Sequence, residues 1–372
     1  MAAPCTGYGS TPRPMIKLTV ETNACYTSSA GVARYVRGLL KGLRRVDPAD
    51  LAVSEFAWPV ENLDFAQPRR ALKTAYRELV WAPFVAPRLL RRSGCDLLHM
   101  TTSLPLRTPE ALPWVQTVYD CAVFRHPDRF RRWHVFSSRL YSRRALQANR
   151  LICISRFVAD ELIQLRDADP NKIDVVYLGS DFAEEASAME AKPPDRPIPE
   201  SFFFFLGSLE PGKNLSLLRE SYEQAARRGV ELPPLVIIGA RWARVPGEGP
   251  PPKNWIYLGR QPDEVLLYCY RRALALVFPS RYEGFGLPVL EAMSVGCPVI
   301  CSRVASLPEV GGDAACYVEQ TPEAYLNAMA ELAKDDRART HLRERGVVQA
   351  RKFSWTRCAE ETLQVYRSLI GA

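Results

Sequence analysis

Two glutamates, Glu283 and Glu291, bracket the loop and helix start of "SRYEGFGLPVLEAMSVGCPVI", residues 280–300. Between them lie Gly284, Phe285, Gly286, Leu287 and Pro288. Glycine lets a backbone come close to a ligand and take conformations that a Cβ forbids. Pro288 fits the first turn of a helix, where its missing N–H is not needed, and Gly296 fits the position just past the end. Leu287 to Val295 is therefore expected to be a short helix. Its N-terminus offers unpaired N–H groups and about half a positive charge, which suits a phosphate. A carboxylate is an acceptor only, so Glu283, just ahead, would take hydrogen bonds from hydroxyls beside that phosphate. Glu291, further along, would reach a second hydroxyl pair, as on a ribose. Hydroxyls, phosphate and hydroxyls in that order describe a nucleotide sugar. The plain alternative is a helix–turn–strand with Glu291 on the surface.

Two more segments have the same flavour. In "FFFFLGSLEPGKNLSLL", residues 202–218, a buried strand runs into a loop opening at Gly207 and Ser208. Lys213 follows, just before a helix that Asn214 would cap. A lysine there would meet a diphosphate as a point charge. In "NACYTSSAGVARYVRGLL", residues 23–40, Ser28, Ser29 and Gly31 form a small-residue loop ahead of a helix. Such a loop would offer a second anion or substrate platform.

These segments need a frame. Short β-branched or aromatic runs (15–22, 51–58, 95–100, 113–120, 149–155 and 173–179) alternate with amphipathic stretches. The clearest is 31–46, apolar at Val32, Tyr35, Val36, Leu39, Leu40 and Leu43. The proline-rich 186–201 interrupts the rhythm. It restarts with strands at 202–207, 234–239, 255–259, 274–280 and 298–302 and helices at 214–228, 262–273 and 288–295. Near-continuous apolar strands between helices mean parallel sheets covered on both faces. The expected fold is α/β: two doubly wound, Rossmann-like domains facing across a cleft. The boundaries are a disordered arm over 1–14, a first domain over 15–185, a linker over 186–201, a second domain over 202–352, and a last helix over 353–372. Ser354 would cap that helix.

Composition removes several classes. Hydrophobic content of 47% and charged content of 24% are globular. No apolar run reaches the roughly 20 residues of a membrane helix. The first residues lack the apolar core of a secretory signal. The 10 cysteines are scattered without zinc spacing and read as reduced and structural, as in a cytosolic protein. The 4 histidines show no HxH or HExxH, so no metal site is expected. Residues 1–180 hold 26 Lys+Arg against 16 Asp+Glu; the remainder hold 23 against 25. The basic half includes 69–92, with seven cations and one Glu, and 124–150, with eight Arg and one Asp. Apolar Trp81, Phe84, Leu89 and Leu90 are interleaved, a pattern that can lie on an anionic membrane surface.

Together, "EGFGLPVLEAMSVGCPVICS", "SLPEVGGDAACYV" (306–318), "GSLEPGKNLSLL" and "TVYDCAVFRHPDRF" (117–130) resemble the retaining glycosyltransferases of family 4, with the GT-B fold. The first resembles that family's E-x7-E signature. The likeness extends over roughly residues 15–370 and favours the mannosyltransferase-like group of bacterial surface-polysaccharide synthesis. It implies donor binding to the second domain, acceptor binding to the first, and a C-terminal helix crossing back. Glu283 would hold the donor sugar's hydroxyls, and the N–H groups of Phe285, Gly286 and Leu287 would contact sugar and diphosphate, with Gly284 beside them. Glu291 would bind ribose, Lys213 the diphosphate, beside Gly207 and Ser208. Gly31 would line the phosphate from across the cleft, and Tyr119 and Asp120 would face the acceptor. Three positions depart from the family: Ser208 and Gly212 stand where many members carry Arg, and Tyr119 where many carry His.

The resemblance implies transfer of a hexose of mannose or glucose type, with retention, from a GDP- or UDP-linked donor to a glycan or lipid-linked hydroxyl. Glu283, Lys213 and Asp120 are the catalytic candidates. No cofactor or metal is expected, and the place is cytoplasmic or peripheral on the inner face of the membrane. Two alternatives are a non-catalytic nucleotide-sugar-binding protein and a basic nucleic-acid-binding protein. The second lacks a recognition module and leaves 280–300 unexplained.

Overall fold

A computed structural model of the chain describes residues 15–27, 31–58, 68–104, 106–130, 132–240 and 252–371. The expected arm over 1–14 and the loop serines Ser28 and Ser29 lie outside the described residues. The first six strands are β1 (Ile16–Glu21), β2 (Leu51–Phe56), β3 (Leu97–Met100), β4 (Trp114–Val118), β5 (Arg150–Cys153) and β6 (Ile173–Val175). They form one parallel sheet in the order β2-β1-β3-β4-β5-β6. The next six are β7 (Phe203–Leu206), β8 (Leu235–Ile238), β9 (Trp255–Gly259), β10 (Leu276–Phe278), β11 (Val299–Ser302) and β12 (Cys316–Val318). Their sheet runs β12-β11-β10-β7-β8-β9, again all parallel.

The apolar runs explain the sheets. Phe203, Phe204 and Phe205 are all fully buried, one beside the next, because helices cover both faces. β2 sits at an edge and is largely exposed, with Val53 open to solvent. In each sheet the order turns back beside the first strand, between β1 and β3 and between β7 and β10. A crevice opens at such switch points, beyond the carboxyl ends of the strands. The loops carrying Gly207 and Glu283 both leave from the second of them.

The helix Gly31–Val46 forms as the apolar spacing predicts, with Tyr35, Val36, Leu39 and Leu43 buried. Residues 186–188 of the expected linker finish the helix Phe182–Ala188, and 189–201 hold no helix or strand. One surprise is the run Pro68–Ser93. It continues as helix through a π segment, Arg77–Val85, that contains Pro83. A π turn absorbs the missing proline N–H and rotates Trp81 and Ala82 into the core.

The last helix, Trp355–Ile370, starts at Ser354, whose side chain accepts from the Arg357 N–H. It lies against Gly31–Val46 in the first domain. Three glycines make the approach possible. A methyl on Gly38 would stand 2.1 Å from the Trp355 ring, on Gly42 2.2 Å from the Trp355 carbonyl oxygen, and on Gly179 2.1 Å from the Trp355 nitrogen. Further along, Tyr366 Oη bonds His99 Nδ1 at 2.6 Å, and Arg367 holds Asp50 with two hydrogen bonds.

Candidate active site

The corner of the second domain is built by two loops. The first leaves β7 through Gly207 and Ser208 and tightens into the 3-10 turn Pro211–Lys213. The stem of Lys213 lies against Gly207, and its Nζ stands over the Phe278 ring. Asn214 occupies the N-cap position but in a left-handed conformation (φ 56°), and its side chain does not cap the helix Leu215–Arg227. It accepts from Ser216 Oγ instead. The second loop leaves β10 and brings Glu283 to Lys213, with Nζ to Oε1 at 2.5 Å. Ser306 Oγ donates to the carbonyls of Glu283 and Phe285, which pins this loop. Gly286 takes φ +108°, open only to glycine, and starts the helix Leu287–Ser294 with Pro288 in its first turn. Gly31, at the start of its own helix in the first domain, faces the Leu287 side chain across the cleft.

The opposing wall follows β4. Tyr119, Asp120, Phe130, Trp133, Ser137 and Tyr141 line a cavity of about 910 Å³ that Glu210, Lys213, Glu283 and Gly284 close from the other side. Asp120 accepts from the Ala122 N–H at 2.9 Å. Its carboxyl opens onto the cavity at the domain interface, with protein packed close around it. That desolvation holds its pKa above the ordinary value; the Ala122 N–H opposes this and the Glu283 charge adds to it. The Tyr119 ring packs edge-on against Tyr35, and its hydroxyl is buried with no hydrogen-bond partner among the described residues. Desolvation pushes that phenol well above its usual range, so it stays protonated. Among the described residues, no three His, Cys, Asp or Glu side chains gather as metal ligands, and the cysteines are free.

The two domains grip each other around this corner. Gly284 is a glycine because of that grip: a methyl there would lie 1.9 Å from the Tyr119 carbonyl oxygen. Closeness to a ligand, the reason suggested by the sequence, is joined by closeness to the other domain. Ser155 Oγ donates to the Gly284 carbonyl. Tyr282 Oη donates to the buried Glu161 at 2.6 Å and accepts the Cys121 N–H. Glu309 reaches over to accept the N–H groups of Arg156 and Phe157, both at 2.8 Å. Glu291 is not a surface residue. Its carboxylate is buried, with Arg34 of the first domain hydrogen-bonded to one oxygen and Tyr270 Oη 3.4 Å from the other. Burial pushes the Glu291 carboxyl up, Arg34 opposes that, and Glu291 in turn holds Arg34 cationic.

The comparisons with known proteins fit this architecture. Residues 29–184 match the model described as Glycosyltransferase Family 4, and residues 189–349 the one described as Glycosyl transferases group 1. The O-antigen chain mannosyltransferase B of Escherichia coli is 34% identical over 285 residues, 72% of each chain. The chain belongs to glycosyltransferase family 4. Further relatives of this family 4 enzyme match at lower identity. The serotype-specific mannosyltransferase WbdA of E. coli is 26% identical over 60% of this chain and 29% of its own. Among solved structures, sucrose-phosphate synthase from Thermosynechococcus elongatus superposes with a TM-score of 0.70 at 17% identity, covering 96% of this chain and 99% of its own. HepE of Anabaena, in complex with UDP and glucose, superposes at 0.64 with 14% identity, covering 95% and 100%. These likenesses establish the two-domain α/β architecture of GT-B glycosyltransferases.

The structure brings Lys213, Glu283, Gly284, Tyr119 and Asp120 to one cavity, sets Gly207 against the Lys213 stem, and puts Gly31 and Leu287 face to face. Glu291 lies behind, under Arg34. Sequence reasoning missed Arg34, Tyr282, Glu161 and Ser306. Arg34 carried a faint signal, one helical turn after Gly31. The others are ordinary residues until the fold pairs them.

Proposed function

We propose that this glycosyltransferase moves a mannose-type hexose, with retention of anomeric configuration, from a GDP- or UDP-linked donor to a hydroxyl of a growing surface glycan. The observation that carries the reading is the Lys213–Glu283 contact at the start of the Leu287–Ser294 helix, facing Asp120 across the cavity. Glu283 has the acceptor atoms a sugar ring needs. Lys213 and the N–H groups of Phe285, Gly286 and Leu287 meet charge growing on the leaving diphosphate. No metal is required for that charge. The C1–O bond breaks toward the diphosphate, the acceptor oxygen attacks the same face, and the diphosphate takes its proton. Glu291 binds the ribose by exchanging its Arg34 contact for ribose hydroxyls. The sugar assignment follows the mannosyltransferase relative of E. coli.

The acceptor is a glycan or lipid-linked glycan, taken up at a membrane surface. On the helix Arg132–Ala145, Trp133, Phe136 and Leu140 are exposed at helical spacing, with Arg132, Arg139, Arg143 and Arg144 around them. Leu72, Leu79, Phe84 and Leu89 are likewise exposed on the basic run before it. Trp133 belongs both to this apolar surface and to the cavity wall. An anionic bilayer matches apolar side chains ringed by arginine. No described helix is long and apolar enough to cross a membrane.

Incubation with a panel of nucleotide sugars and a mannan-type acceptor, with NMR of the product, tests the reading. An α-linked product from an α-linked donor supports it; an inverted product, or donor binding with no transfer to any acceptor, contradicts it. Sedimentation with and without anionic vesicles tests the surface, and pelleting indifferent to lipid charge contradicts it.

A further inference from the structure

Among the described residues, the cavity between the domains is lined by three cations, Arg77, Arg129 and Lys213. Two are already neutralised, Arg77 by Glu78 and Lys213 by Glu283. The side chain of Arg129 has no hydrogen bond or ion pair of 4 Å or less among the described residues; it leans toward the Phe130 ring, and its charge reaches Asp120 from further away. It comes from the first domain, on the turn Pro127–Arg129, yet its guanidinium lies directly over the loop of the second. A methyl on Gly212 would stand 1.6 Å from Arg129 Nη2. Gly212 does not have a positive φ, so its glycine is not there for backbone conformation. What it provides is space, and Arg129 fills that space beside Lys213.

We infer that Arg129 is a catalytic residue of the transfer, a phosphate-binding cation lent by the acceptor domain to the donor site. This rests on the functional reading above. With Arg77–Glu78 and Lys213–Glu283 already paired, the remaining carboxylates of the cavity, Asp120 and Glu210, would face an entering dianionic diphosphate. An unpaired guanidinium presents a planar fork of N–H donors that matches two phosphate oxygens at once. As the C1–O bond breaks, its electron pair goes to the diphosphate oxygen, and Arg129 donates hydrogen bonds to the charge that collects there. Because Arg129 rides on the first domain, it reaches the diphosphate only when the domains are closed. Closure and charge stabilisation thus become one event.

The test compares wild type, Arg129→Gln, Arg129→Gly and the pair Arg129→Gly with Gly212→Arg. Steady-state kinetics are read on the donor that wild type uses, and calorimetric titrations use GDP and UDP. We expect Arg129→Gln to lower kcat by roughly 10²-fold, as for loss of one preorganised donor to a developing anion, with weaker nucleoside diphosphate binding and an unchanged acceptor KM. We expect the relocated arginine to recover at least about tenfold of the Arg129→Gly loss. An Arg129→Gln enzyme with wild-type kcat and nucleotide affinity overturns the inference while leaving the functional reading intact. So does a rise confined to acceptor KM, which would put Arg129 on the acceptor. A wild type that neither transfers from any donor nor binds either nucleotide overturns both.

Discussion

Lys213 Nζ and Glu283 Oε1 stand 2.5 Å apart where the two strand-end loops of the second domain meet. Each is partner to the other before any ligand arrives. The ion pair keeps both side chains in one place, and a donor threaded between them offers hydroxyls to the carboxylate and phosphate to the ammonium. Glu283→Ala is expected to cut kcat by about 10²-fold, and a loss of under about threefold would remove Glu283 from the mechanism. Steady-state rates at saturating donor read this directly.

Glu291 and Arg34 predict a different signature. Arg34→Met leaves a buried carboxylate without its cation, which should lower stability by about 1–3 kcal/mol in urea titration. Adding Glu291→Gln should return part of the loss, because the two changes share one contact. On activity, Glu291→Gln should raise donor KM more than it lowers kcat, as expected of a group that holds the substrate away from the reacting bond.

Gly284→Ala puts a methyl 1.9 Å from the Tyr119 carbonyl oxygen. Both are backbone positions, so the domains must part. Small-angle scattering should report a larger radius of gyration with an unchanged circular dichroism spectrum. The rate should fall by at least about tenfold, since displacement of the reacting groups by an ångström is costly.

His99 gives a pH dependence. It is fully buried between Tyr366 and Thr117, and desolvation lowers its pKa from 6.5 to about 3. The unfolded chain takes up this proton near the ordinary value; the folded protein refuses it until far more acid. Between those limits the unfolded state binds more protons, so stability falls as pH falls through that window, by about 1.4 kcal/mol per pH unit. Above the ordinary pKa nothing is lost. His99→Gln should flatten this part of the stability curve measured by urea titration from neutral pH to pH ~4.

The sequence carried much of this architecture because its signals were local. The run of phenylalanines at 202–205 can only be a strand covered on both faces, and the apolar spacing of 31–46 can only bury one side of a helix. Gly284, Gly286 and Pro288 announced a loop turning into a helix. What stayed hidden depends on distant pairings. Arg34 meets Glu291 across 257 positions, and no local period encodes that. Gly38, Gly42 and Gly179 look like interruptions until Trp355 lies on all three. The π segment around Pro83 buries Trp81 and Ala82, and no period in the sequence announces it.

A crystal structure with an unreactive GDP- or UDP-linked sugar tests the central claim most directly. The account predicts the diphosphate within hydrogen-bonding reach of Lys213 Nζ and the N–H groups of Phe285, Gly286 and Leu287, with sugar hydroxyls on Glu283. A nucleotide bound in the first domain, or one whose diphosphate lies away from the Leu287–Ser294 helix, would contradict it.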